Sequence, residues 1–154
     1  MEEVPIKLSK FTGSIYRSTQ AYANEILKEF GLTSGSYPFL LTLYISDGIN
    51  QNQISRELDI DKAMSAREIK KLIKLDYVKK EMDREDARAC KLYLTEKGRS
   101  LIPRICRMMN SWNDTITQGL DEREKKELIR MLDIVLQEAK RCRCISKTDV
   151  SFQQ

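Results

Sequence analysis

The chain contains no histidine, so the usual proton shuttle near neutral pH is missing, along with the commonest nitrogen ligand for metals. Its six glycines are scattered and build no phosphate-cradling loop. Paired acids such as Glu2-Glu3 and Glu122 with Glu124 read as solvated termini and helix starts. No nucleophile stands beside a base. The expectation is a protein with no catalytic residues, no metal site and no cofactor. Cys142-Arg143-Cys144 is the one close cysteine pair, and it supplies only two ligands. Two exposed thiols on a basic tail is the simpler reading, and a redox or metal sensor is the alternative. Cys106, beside an apolar stripe, reads as a small core residue. Cys90 reads as packed on the inner side of a strand with Leu92 and Leu94.

The residues with usable chemistry are cations. Whole-chain charge is only +4, yet Lys62, Arg67, Lys70, Lys71, Lys74, Lys79 and Lys80 face only Glu68 and Asp76 within 62–80. A basic stripe on a nearly neutral chain fits a surface that meets a polyanion, with a solvated helix face as the plain alternative. At its start stand Lys62, Ala63, Ser65, Ala66 and Arg67. Small side chains allow close approach to base edges, and arginine can grip guanine with two hydrogen bonds. Lys70, Lys71 and Lys74 follow at positions suited to phosphates.

The elements that must hold this stripe are legible from period and punctuation. Residues 7–30 read as a helix with apolar steps at Leu8, Phe11, Ile15, Tyr22, Ile26 and Phe30, stopped by Gly31. Pro38 belongs in the first turn of the next helix, capped by Ser34, Gly35 or Ser36 and running to about Ser46. Asp47-Gly48 is a turn. Asn50 with Gln53 forms a capping box for a short helix ending near Asp59. Asp61 then caps a helix from Lys62 to Leu75, with Met64, Ile69 and Leu72 inward. Two short helices around a tight turn are a helix-turn-helix outline. The period then changes to that of a hairpin, Tyr77–Met82 and Ala89–Leu94, with a charged tip. Arg84 and Arg88 on that tip are spaced to reach a minor groove, and Asp86 can orient an arginine. Thr95 caps a long helix to about Gln118, and Asp121 with Glu124 caps a last one. Residues 141–154 have no usable period and read as a loose tail.

In this order the residues resemble the MarR-type (multiple antibiotic resistance) regulators, from about Leu32 to Ala139. Leu32-Thr33 is similar to the family's start of the second helix. Gln51–Leu58 is similar to its first helix-turn-helix segment, and Asp61-Lys62 with Arg67, Ile69 and Leu72 to its recognition helix. Most specific is Asp83-x-x-Asp86-x-Arg88 followed by Leu92-x-Leu94-Thr95-x-Lys97-Gly98. Asp59 and Asp76 stand where the family usually carries glycine, and aspartate tolerates left-handed geometry better than most residues. Ser65 stands where an apolar residue is common, and Ala66 where a serine or threonine is common. Pro38 falls inside the family's usual second helix. Residues 1–89 hold no cysteine, unlike the peroxide-sensing members.

The resemblance implies an α+β, mostly α fold: a winged helix-turn-helix lobe over 32–98, with 5–31 and 99–140 forming a helical dimerisation region. It implies a homodimer that binds double-stranded DNA as a repressor or, less often, an activator. It also implies a small aromatic effector bound in a cleft, for which Arg17, Tyr22, Tyr37 and Trp112 are the candidate lining residues here. The long apolar stripes agree independently with a dimer, since they exceed what one small winged helix can bury. A winged helix turned to protein interaction is the rival from another class. No apolar run approaches the roughly 18 residues of a membrane span, and MEEVPIKLSK lacks a signal-peptide layout, so a cytoplasmic protein is expected.

Overall fold

The computed structural model describes residues 3–83 and 90–150, with side chains over 7–83 and 90–143. It holds α1 (Glu3–Leu27), a short 3-10 turn (Lys28–Phe30), α2 (Tyr37–Ile45), α3 (Gln51–Glu57), α4 (Lys62–Lys74), β1 (Val78–Met82), β2 (Cys90–Leu94), α5 (Glu96–Ile116) and α6 (Glu122–Val150). The chain divides into two compact units, 1–112 and 113–154.

In the first unit, the local signals do what their chemistry requires. Gly31 ends the α1 segment with φ 70°, a left-handed value that glycine adopts without cost. Pro38 sits in the first turn of α2, where its missing N–H would have had no partner, and the helix begins only at Tyr37, after Leu32-Thr33. Asn50 and Gln53 exchange side chain-to-backbone hydrogen bonds of 2.8 and 2.9 Å, closing the capping box of α3. Asp61 accepts from the amides of Ala63 and Met64 and starts α4. Asp59 and Asp76 turn the chain after α3 and α4 with φ of 58° and 61°, the left-handed geometry those positions demand.

β1 and β2 pair antiparallel with Val78 opposite Leu94 and Met82 opposite Cys90. Ile49 adds a bridge to Leu92, and the Gly48 amide donates to the Leu92 carbonyl, so the turn after α2 is stitched to the hairpin. Asp47 tightens the same junction: one carboxylate oxygen accepts the Leu94 amide at 3.1 Å and the other pairs with Arg99 at 2.6 Å.

One apolar core gathers Phe39, Leu40 and Leu43 of α2, Ile54 of α3, Ile69 and Leu72 of α4, and Val78, Leu92 and Leu94 of the hairpin. Ala23 and Leu27 of α1 and Leu101, Ile102 and Ile105 of α5 enter the same cluster. Segments expected to belong to a separate helical region therefore also finish the core of the lobe.

Three expectations need correction. Met64 is exposed, because the inward face of α4 is set by Ser65, Ile69 and Leu72, one residue round the helix. Cys106 is exposed: it is displaced by one residue, roughly 100° at 3.6 residues per turn, from buried Ile105. Residues 141–150 continue α6 instead of forming a loose tail. That stretch has no glycine or proline to stop it, and Arg141 pairs with Glu138 one turn back at 2.6 Å.

In the second unit, Asp121 and Glu124 form a reciprocal capping box of 2.8 and 2.9 Å at the start of α6. Ile129, Met131, Leu132, Ile134, Val135 and Leu136 all remain exposed along that helix. No helix among the described residues is long and apolar enough to cross a membrane.

Candidate nucleic-acid interface

On α4, Ala63, Arg67, Lys70 and Lys74 step by four, three and four residues, which places them within roughly 60° of one another at 3.6 residues per turn. All four are exposed, and Ser65, Ile69 and Leu72 occupy the opposite, buried face. Lys62 and half-buried Ala66 flank the stripe. Arg67, Lys70 and Lys74 form no ion pair among the described residues, so their charge is directed outward. The Asp61 cap fixes where this helix starts and thereby where Ala63 and Arg67 project.

Two expected members behave differently. Ser65 is fully buried, and its Oγ has no hydrogen-bond partner among the described residues. It is a core residue that happens to be polar. The signal was present in the sequence: it stands at a position where the family it resembles favours an apolar side chain. Lys71 is drawn inward, donating to Ser36 Oγ at 3.3 Å with its Nζ 3.6 Å from Glu68. Ser36 itself is buried, accepts the Thr33 amide at 3.1 Å and donates to Glu68 at 2.5 Å. This small network ties α4 to the segment before α2.

A groove of about 590 Å³ separates α4 from the hairpin. Ala66 and Lys70 line one side, Lys80 and Cys90 the other, and Gln51 and Asn52 of α3 close one end. Lys80 thus faces the same groove as the α4 stripe. Its charge is visible in the sequence but its place at the site is not, because strand register decides which face a β residue takes. The tip residues Arg84, Asp86 and Arg88 lie outside the described residues.

Of the four residues expected to share a cleft, Tyr22 and Trp112 come together. Tyr22 stacks on Trp112 with ring centres 4.6 Å apart, and Trp112 Nε1 donates to Thr19 at 2.9 Å. Tyr22 donates to the Met108 carbonyl at 3.2 Å, so this pair fastens α1 to α5. Tyr37 lines a cavity together with Tyr16 and the same Thr19, and Arg17 donates to Ser14 on the exposed side of α1. Burial, and to a lesser degree the neighbouring Tyr16, raises the Tyr37 pKa above its ordinary 10.0. Among the described residues, no group of three or more cysteine or acidic side chains is arranged to hold a metal ion.

A capped helix pair followed by a two-stranded hairpin, all on one core, defines a winged helix-turn-helix protein. The family model described as "Transcriptional regulator SarA/Rot" matches residues 21–105, and the chain belongs to that family of transcriptional regulators, which are not enzymes. Its fold is that of the MarR regulators. A MarR transcriptional regulator from Methanosarcina mazei is 34% identical, with a TM-score of 0.83 over 88% of this chain and 97% of the other. A MarR family regulator from Listeria monocytogenes, solved with a 26mer DNA, is 28% identical with a TM-score of 0.79, covering 90% and 89%. The transcriptional regulator BilQ of Clostridioides difficile is 29% identical over 128 residues, 83% of this chain and 86% of that protein.

Proposed function

We propose that the protein is a sequence-specific DNA-binding regulator that works as a homodimer in the cytoplasm, repressing transcription until a small effector releases it. The observation that carries the DNA reading is the outward stripe of Ala63, Arg67, Lys70 and Lys74, aligned beside Lys80 of the hairpin. Small residues at the start of α4 let it enter a major groove, Arg67 reads a base, and the lysines hold phosphates. The Listeria regulator solved with DNA supports the same use of the fold.

The homodimer rests on apolar surface. Phe11 and Ile15 of α1 are 57% and 55% exposed, and Ile129 of α6 is 67% exposed. Side chains of that size at helical spacing need covering, and a second copy offers matching faces. Sedimentation equilibrium at micromolar concentration is expected to give twice the chain mass; a single species of 18.0 kDa removes the dimer. Selection of bound fragments from genomic DNA is expected to yield a near-palindrome with half-sites about 10 bp apart. Binding that ignores sequence and falls with salt equally on every duplex overturns the specific regulator.

A further inference from the structure

Ser36 stands at the N-cap of α2, yet its hydroxyl caps none of that helix's amides. A serine there ordinarily stabilises its own helix by accepting a first-turn amide. Here the hydroxyl turns toward α4. The Thr33 amide and the Thr33 hydroxyl each lie 3.1 Å from this one buried oxygen, the Glu68 carboxylate 2.5 Å and the Lys71 ammonium 3.3 Å. Lys71 follows Lys70 by one residue, roughly 100° round the helix, which takes it off the outward stripe and onto the flank that meets Ser36. Among the described residues, Glu68 and Lys71 are the only side chains of α4 hydrogen-bonded to another segment. The rest of its inward face is Ile69, Leu72 and Ser65, whose hydroxyl has no partner among the described residues. Apolar burial is non-directional, whereas a hydrogen bond has a preferred length and angle.

We propose that Lys71 is a positioning residue for DNA recognition: clamped by Ser36 and Glu68, it fixes the rotation of α4 and holds no phosphate itself. The proposal rests on the DNA-binding function given above. A side chain stands about 5–6 Å from the axis of its helix, so a turn of about 10° carries it sideways by about 1 Å. A shift of that size stretches a hydrogen bond of about 2.9 Å beyond the range in which it holds. Arg67, with its planar fork aimed at a base edge, is sensitive to such a shift. Lys70 and Lys74 are not, because an ammonium on a flexible four-carbon stem can follow a phosphate. Loosening the clamp therefore costs discrimination between sequences and leaves the general attraction to DNA in place.

The test is fluorescence anisotropy of the full-length protein with a selected duplex and with a random duplex of equal length, across a salt series. Lys71→Met keeps the apolar stem and removes the ammonium. It is expected to lower the ratio of specific to random affinity at least about fivefold, with random-duplex affinity and the salt slope unchanged. Ser36→Ala lies at a fully buried position that cannot touch DNA, and it is expected to lower the ratio to a similar extent. The double variant is expected to fall no further, since both changes break one clamp. Lys70→Met is the contrast, weakening both duplexes and reducing the salt slope by about 1. A slope reduced by about 1 in Lys71→Met makes Lys71 a phosphate contact and overturns the proposal. A lower melting temperature with an unchanged ratio, measured well below melting, makes the clamp merely structural and overturns it too. Additive losses in the double variant overturn the link through Ser36; if Ser36→Ala does not fold, Lys71→Met decides alone. An unmodified protein that shows no preference between the two duplexes overturns the specific DNA reading itself, and the proposal with it.

Discussion

Gly98 lies in the first turn of α5, and the usual rules for helices favour replacing it. Alanine in a helix is better than glycine by about 1 kcal/mol, and φ here is not in the left-handed region. The structure predicts the opposite sign. A Cβ on Gly98 would sit 2.1 Å from the backbone oxygen of Tyr77 and 3.0 Å from its carbonyl carbon. Non-bonded heavy atoms prefer about 3.5 Å, so more than an ångström must be made by moving backbone. That oxygen is already engaged, accepting the Thr95 amide at 3.1 Å at the root of the hairpin. Forced overpacking costs about 1–3 kcal/mol, and loss of the Thr95 bond adds about 1 kcal/mol. Against the propensity gain of about 1 kcal/mol, Gly98→Ala should destabilise the fold by about 1–3 kcal/mol. For a chain of this length that is a fall in melting temperature of about 2–12 °C. Far-ultraviolet circular dichroism on heating reads it directly. A melting point equal to or above that of the unmodified protein would refute the close approach and leave propensity as the controlling effect.

Ser65→Ala removes a buried hydroxyl without a partner and should raise stability by about 1 kcal/mol while leaving DNA affinity unchanged; a drop in either shows that the hydroxyl has a role. Arg67→Ala should weaken specific binding by about 1–3 kcal/mol and relax preference at one position per half-site. Equal weakening on random duplexes would make Arg67 a phosphate contact instead. Tyr37 carries a pKa raised by burial and then by Tyr16, so its contribution to stability is fully present below the unfolded value of 10.0 and is lost as pH climbs through the higher folded value. Denaturant melts across that range should show a shallower alkaline loss for Tyr37→Phe, and an identical slope would mean the phenol titrates alike in both states.

Much of the local architecture was legible because it depends on neighbours in the chain. Asn50 with Gln53, Asp61, Thr95, and Asp121 with Glu124 satisfy amides within three residues, so spacing alone marks those helix starts. Asp59 and Asp76 were readable as turns through the resemblance, because they stand where the family usually carries glycine and aspartate tolerates left-handed geometry better than most residues. The end of α6 was not, because the absence of an apolar period does not melt a helix that has good formers and ion pairs.

By itself, the sequence determined the order of elements, the basic character of α4 and the family it resembles. These follow from composition, period and short-range hydrogen bonds. Only the tertiary structure decided which face of each element turns inward. It buried Ser65 and exposed Met64, drew Lys71 back to Ser36 and Glu68, brought Lys80 to the groove beside Lys70, and stacked Tyr22 on Trp112. The physical reason is that a rotation of one residue in a helix, or a register choice in a strand, changes nothing in local preference. Only packing against distant segments makes one of the alternatives lower in free energy.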